Sequence, residues 1–180
     1  MNTQHPTSVD EIDWLAWTPT ERATLMFVVR GDQILLIRKK RGMGAGKING
    51  PGGRFEQGES PEDCAVRETM EELHVRPLSP TLRGRARFHF THGYRLTVFC
   101  FVSYAHEGEA TETDEAIPLW TPLNAIPYDQ MWADDALWLP MLLRGEVFDG
   151  RYIFAGDKMV DYKFRTPPQL ADIAANRPDI

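Results

Sequence analysis

Short runs of β-branched, aliphatic and aromatic residues, broken by glycine-containing turns, dominate the pattern of this chain. Thr24 to Arg30 is one such run, and Ile34 to Ile37 follows after Gly31-Asp32. Gly-Asp is a favoured reversal, so the pair predicts a hairpin. Arg83 to Thr91 and Tyr94 to Tyr104 flank His92-Gly93 and predict two longer strands. Ile117 to Trp120 predicts a short strand, and Val147 to Phe154 with Met159 to Phe164 a last hairpin turning at Gly156-Asp157. Two segments carry helical signals instead. Ser60 caps a helix with Pro61 at its first position and Glu62 and Asp63 against the N-terminal dipole, running to about Leu73. Asp134 to Leu143 is the second helix, capped by Asp134 or its predecessor and stopped at Gly145. Strands and helices mix without a βαβ rhythm, which predicts an α+β fold with a mixed sheet between helices.

These signals begin after residue 20 and fade after residue 165. Residues 1–20 are polar and acidic, with Trp14, Leu15 and Trp17 as apolar anchors and room for one short helix after Ser8. They read as an extension lying on a single domain of residues 21–165. Residues 166–180, with Pro167-Pro168, read as a poorly ordered tail.

Composition narrows the function classes. The chain has 180 residues, 42% of them hydrophobic, enough for a real core in one domain. Twenty Lys and Arg against 26 Asp and Glu leave a net charge of -6, which argues against polymeric nucleic acid and anionic membranes, since polyanions need a basic footprint. Mean hydropathy is -0.39, and the longest apolar runs, such as Val98 to Val102, are far too short to span a bilayer. Cys64 and Cys100 imply no disulfide framework, and Met1 to Asp10 carries no secretory pattern. The expectation is a cytoplasmic, monomeric protein.

The first helix carries the candidate chemistry. At 100° per residue, Ala65, Thr69, Leu73, Val66 and Met70 share one face, and Glu68, Glu71 and Glu72 the other. Stacked like charges at i, i+3 and i, i+4 cost roughly 0.2–0.5 kcal/mol each on a bare helix. Either the face is simply solvated, or a hard cation such as Mg²⁺ sits among the carboxylates.

The residues before the helix bear on that choice. Gly53, then Glu59, Arg67-Glu68 and Glu71-Glu72, resembles the Nudix box at the family spacing, with Thr69 standing for an aliphatic residue and His74 for a glycine. The resemblance implies a Nudix fold (α/β/α), and Mg²⁺ or Mn²⁺ held by the Gly52 carbonyl, Glu68, Glu71 and Glu72. It implies an Arg67–Glu59 pair fixing the loop, and Glu115 as a further ligand or base where it otherwise reads as a loop carboxylate. His74 must take the post-helix turn without glycine's freedom.

Lys39 through Lys47 with Asn49-Gly50, and Met131-Trp132-Ala133-Asp134-Asp135 with Trp138, are similar to the branch of that family in animals that hydrolyses oxidised purine nucleoside triphosphates. That similarity spans about residues 23 to 164. It implies cleavage of 8-oxo-dGTP or 2-hydroxy-dATP to monophosphate and pyrophosphate, a sanitation of the nucleotide pool that prevents DNA damage. The alternatives are another nucleoside diphosphate derivative as substrate, or a non-catalytic nucleotide-binding module. Asn49 can read a base edge with both a donor and an acceptor. Asp134 and Asp135 can share a proton in a dry pocket, or Asp134 can merely cap its helix. Trp132 and Phe88 can stack on a base or belong to the core. Thr24, Lys39 and Met43 complete the candidate substrate set, Met43 replacing a family aromatic.

Overall fold

The computed structural model describes residues 5–165 and 170–174. In chain order these form β1 (Glu21–Arg30), β2 (Gln33–Lys39), β3 (Ile48–Asn49), α1 (Pro61–Leu73), β4 (Arg76–Leu78), β5 (Thr81–Phe90) and β6 (Arg95–Ser103). There follow β7 (Ala105–Glu107), β8 (Ala116–Pro122), α2 (Asp135–Leu143), β9 (Phe148–Ala155), β10 (Lys158–Phe164) and α3 (Leu170–Ala174). One mixed sheet runs in the order β10-β9-β5-β6-β1-β2-β3, with β8 also paired to β2. β1 with β6 and β5 with β9 are parallel pairs, and the rest are antiparallel. β4 and β7 make a separate ribbon.

Alternation along the strands sorts the core onto two faces. Phe27, Val29, Ile34, Leu36, Val98 and Cys100 face α2, whose Trp138, Leu139 and Leu142 are fully buried. Met26, Val28, Leu35, Ile37 and Phe99 pack on α1 through Ala65 and Leu73. The sheet lies between helices, as the patterning predicts. The long strands and both principal helices fall where expected, within a few residues. β3, β4 and β7 were not anticipated; at two or three residues they carry no periodicity and exist only through their partners.

α1 departs from its helical-wheel reading in which face it buries. Met70 is 40% exposed and Val66 half-buried, whereas Cys64, Ala65, Thr69, Glu72 and Leu73 are buried. The inward arc is rotated toward the carboxylates, because the segment before the helix and the start of β1 cover Glu68 and Glu72. Ser60 caps the helix through a hydrogen bond from Asp63 N–H, and His74 ends it at φ 60°, ψ 24°. The left-handed turn is met as expected, and the His74 ring sits 2.6 Å from the Thr111 hydroxyl.

In the N-terminal extension Ser8 caps a 3₁₀ turn, Val9–Glu11. Val9, Trp14 and Trp17 close over Ile153, but Leu15 is 64% exposed and is no anchor. On the same face Arg85 and Asp149 are buried as a 2.7 Å pair. Beyond residue 165 the expectation of a poorly ordered tail fails in part. α3 forms, and Ile173 is fully buried with the α1-side core. Ile173 anchors it together with an Arg165–Asp172 ion pair; residues 166–169 and 175–180 lie outside the described residues.

Candidate active site

β2 leaves β1 after three paired positions, and the glycine-rich segment takes its place. Met26 N–H donates to the Pro51 carbonyl at 2.8 Å, Thr24 N–H to Gly53 at 2.9 Å, and Phe55 N–H to Arg22 at 3.1 Å. Glycine is required here by space. A Cβ on Gly52 would lie 2.0 Å from the Thr24 carbonyl oxygen, and one on Gly53 would lie 2.3 Å from the Glu68 carboxylate. The segment is thereby pressed between β1 and the carboxylate face of α1.

Arg67 ties that face to the loop. Its guanidinium donates to Glu59 at 2.7 and 2.9 Å, to Glu68 at 2.9 Å, to Glu71 at 3.1 Å and to the Arg54 carbonyl at 3.0 Å. Those bonds hold Glu59 down to about 2, and the expected Arg67–Glu59 pair is present. Glu72 accepts from Gly52 N–H at 2.9 Å, and its burial, opposed by that bond and by Lys39 but reinforced by Glu68 and Glu115, pushes it up to about 7. Burial also raises Glu68. Glu71 stays exposed against Arg67, and Glu115 is paired with Arg41.

Among the described residues no group of three His, Cys, Asp or Glu is already gathered as a metal cage; Arg67 holds Glu68 and Glu71, Arg41 holds Glu115, and Gly52 N–H holds Glu72. The donor chemistry nonetheless fits a hard divalent cation. Glu68 sits in a cradle that a Cβ would fill, Glu72 is buried beside it, and every candidate donor is an oxygen. Cys64, on the same face, is pushed up to about 12 by burial and remains a thiol.

The carboxylates edge a cavity of about 420 Å³ that runs under the sheet toward α2. Thr24, Lys39, Met43, Asn49 and Gly52 line it, as do Glu68, Glu72, Phe88, Glu115, Trp132, Asp134 and Asp135. Of the sequence-derived candidates only Glu71 does not. At its inner end Asp134 Oδ2 accepts from Trp138 Nε1 at 2.8 Å, while Asp134 Oδ1 is buried with no partner among the described residues. Asp134 does not cap α2 with its side chain; its backbone is already helical at φ -74°, ψ -25°. Asp135 accepts from Trp132 N–H at 3.0 Å. Burial raises Asp134 to about 6, and raises Asp135 with the Asp134 charge adding.

The remaining candidates flank this pair. Asn49 Oδ1 accepts from Gly50 N–H at 2.8 Å, which leaves its amide hydrogens for the cavity. The Trp132 ring meets Phe154 edge-on at 5.7 Å, and Phe88 stacks on Tyr152 at 5.1 Å, so both rings are core on one side and wall on the other. Met43 is 42% exposed at the rim. Thr24 is buried and donates to Cys64 Sγ. Sequence reasoning missed the rest of the wall, including Ala23, Leu25, Tyr94, Leu96 and Val98. Their signal was parity: they share a sheet face with Phe27 and Cys100.

A NUDIX domain model matches residues 19–142. The chain is 42% identical over 142 residues to the oxidized purine nucleoside triphosphate hydrolase of Danio rerio, covering 78% of this chain and 91% of that protein. It is 37% identical over 144 residues to the Mus musculus protein of the same name, covering 79% and 92%. Among solved structures it resembles the MutT protein of Bacillus halodurans with a TM-score of 0.74 and 28% identity, over 82% of this chain and 99% of that one.

Proposed function

The chain belongs to the Nudix hydrolases, and from that premise we propose that it cleaves oxidised purine nucleoside triphosphates to the monophosphate and pyrophosphate. The observation that carries this is a buried aspartate with one unpartnered oxygen, at the end of an apolar cavity whose other end is a cluster of carboxylates. An unmet buried acceptor calls for an N–H donor, because leaving it unmet costs about 1–3 kcal/mol.

Nudix hydrolases generally use divalent metals. In this chain the Gly52 carbonyl, Glu68, Glu71, Glu72 and Glu115 would hold Mg²⁺ or Mn²⁺, which when bound neutralises phosphate charge and makes a water more acidic. The protein's own part is placement. Gly52 and Gly53 let the loop lie against β1 and Glu68, where a Cβ would collide, and so keep its backbone at the phosphate end of the cavity. Lys39 contributes positive charge at the same end. Trp132 and Phe88 stack on the base, and the apolar wall excludes water. Asn49 offers its amide to the base edge. Burial keeps a proton on the Asp134–Asp135 pair, so one carboxyl donates while the other accepts, and moving that proton serves either an oxidised guanine or an oxidised adenine edge.

The test is kcat/KM for 8-oxo-dGTP, 2-hydroxy-dATP, dGTP and ADP-ribose side by side. Oxidised purines are expected to lead by at least about tenfold, the worth of one well-made buried hydrogen bond. A lead by ADP-ribose or equal use of dGTP overturns the assignment.

A further inference from the structure

Arg67 is tied to the loop by two bonds to Glu59 and one to the Arg54 carbonyl, besides its bonds to Glu68 and Glu71. Arg41 differs. Its side chain is 63% exposed and its guanidinium pairs with Glu115, whose side chain is 40% exposed and on the wall of the cavity shared by Glu68, Glu72 and Lys39. Pairs this exposed are weak and exchange readily. The two loops do not need this one to stay joined. Lys40 N–H donates to the Glu115 carbonyl at 2.9 Å, and Lys40 Nζ reaches Glu112 at 2.5 Å and the Thr113 carbonyl at 2.6 Å. Lys39, two residues before Arg41, and Gly42 and Met43, the two residues after it, line the cavity.

We propose that Arg41 is an exchangeable positioning residue: it holds the Glu115 carboxylate in the metal-free protein, and turns to the polyphosphate of the substrate when Glu115 turns to the cation. Glu68, Glu72 and Glu115 line the cavity, and Arg41 offsets one of them until cation and phosphate arrive together. The inference rests on the metal-dependent phosphate chemistry proposed above, not on which base is read.

Two probes test it without a base. Mn²⁺ binding to the nucleotide-free protein is read by loss of the free-ion electron paramagnetic resonance signal. Binding of inorganic tripolyphosphate with Mg²⁺ is read by calorimetry. In Arg41→Gln, Mn²⁺ is expected to bind about two- to fivefold more tightly, since Glu115 is released, and tripolyphosphate about fivefold more weakly. Arg41→Lys is expected to fall between wild type and Arg41→Gln in both. A residue that merely pins a loop would not tighten metal binding while loosening anion binding. Unchanged or weaker Mn²⁺ affinity in a folded Arg41→Gln, or unchanged tripolyphosphate affinity, overturns the proposal. Failure of the base-reading assignment appears instead in the wild-type substrate preference, which neither probe sees.

Discussion

Asp134 separates what a single residue's sequence context can tell from what only packing tells. Its place ahead of an apolar helix is that of a cap, yet its side chain makes no cap bond and instead holds Trp138 Nε1, one turn on. The distinction was invisible in the sequence because both readings ask for an Asp at that position. Function and stability are expected to oppose each other there. Burial raises Asp134 to about 6, from near 4 in the unfolded chain. The folded state therefore binds more protons between those values, and the carboxyl's contribution to stability is lost as pH rises through that window. Asp134→Asn keeps the Trp138 acceptor and removes the buried charge. Its melting temperature is expected to exceed wild type at pH 7.5 and to match it near pH 4. Its 8-oxo-dGTP to 2-hydroxy-dATP ratio is expected to shift, because one fixed donor–acceptor pattern cannot serve both edges. Thermal melts across pH and paired kcat/KM values check both halves, and an unchanged ratio would remove proton sharing from the account.

At the scale of elements, α1 shows how a legible motif can carry an incorrect burial pattern. The cap, the proline, the carboxylate spacing and the Arg67–Glu59 pair were all readable, because each is a local relation along one chain segment. The inward rotation that buries Glu72 and exposes Met70 was not, since it depends on what the glycine segment and β1 bring against the helix. β3, β4 and β7 were missed for the same reason. The buried Glu72 gives the helix a test of its own. Its folded value near 7 lies above the ordinary glutamate range, so in metal-free protein it withdraws stability as pH rises from about 4.5 to 7. Glu72→Gln is thus expected to melt above wild type at pH 8 without metal, and to lose the melting increase that millimolar Mg²⁺ gives the wild type. Its kcat is expected to fall on the order of 10²-fold or more. Wild-type turnover at saturating Mg²⁺ in a folded variant would reject the metal assignment of this helix.

For the whole molecule, the sheet divides two tasks between its faces. Phe88 and Phe154 wall the cavity on one side of β5 and β9; one residue away along the same strands, Arg87, His89 and Ile153 lie under the N-terminal extension. Trp14 is the centre of that cover. Its indole N–H donates to the Val9 carbonyl at 2.7 Å, its ring lies tilted against Trp17 at 5.3 Å, and the guanidinium groups of Arg87 and Arg151 sit 5.5 and 5.1 Å from it. Trp14→Ala removes one of the largest buried side chains of the extension and is expected to cost about 3–5 kcal/mol, visible as a lowered urea midpoint. Whether activity follows depends on how far a loosened cover propagates through the strands. The ladder argues that it does not: β5 is paired along its length to β6 on one side and β9 on the other, and those bonds do not involve the extension. At a temperature well below its transition, kcat/KM of Trp14→Ala is expected to stay within about twofold of wild type, as for a change that leaves the site's contacts intact. A parallel fall in kcat/KM with full folding would instead mean that the extension sets the position of Phe88 and Phe154 through the pleat, and that the cavity is tuned from the far face of the sheet.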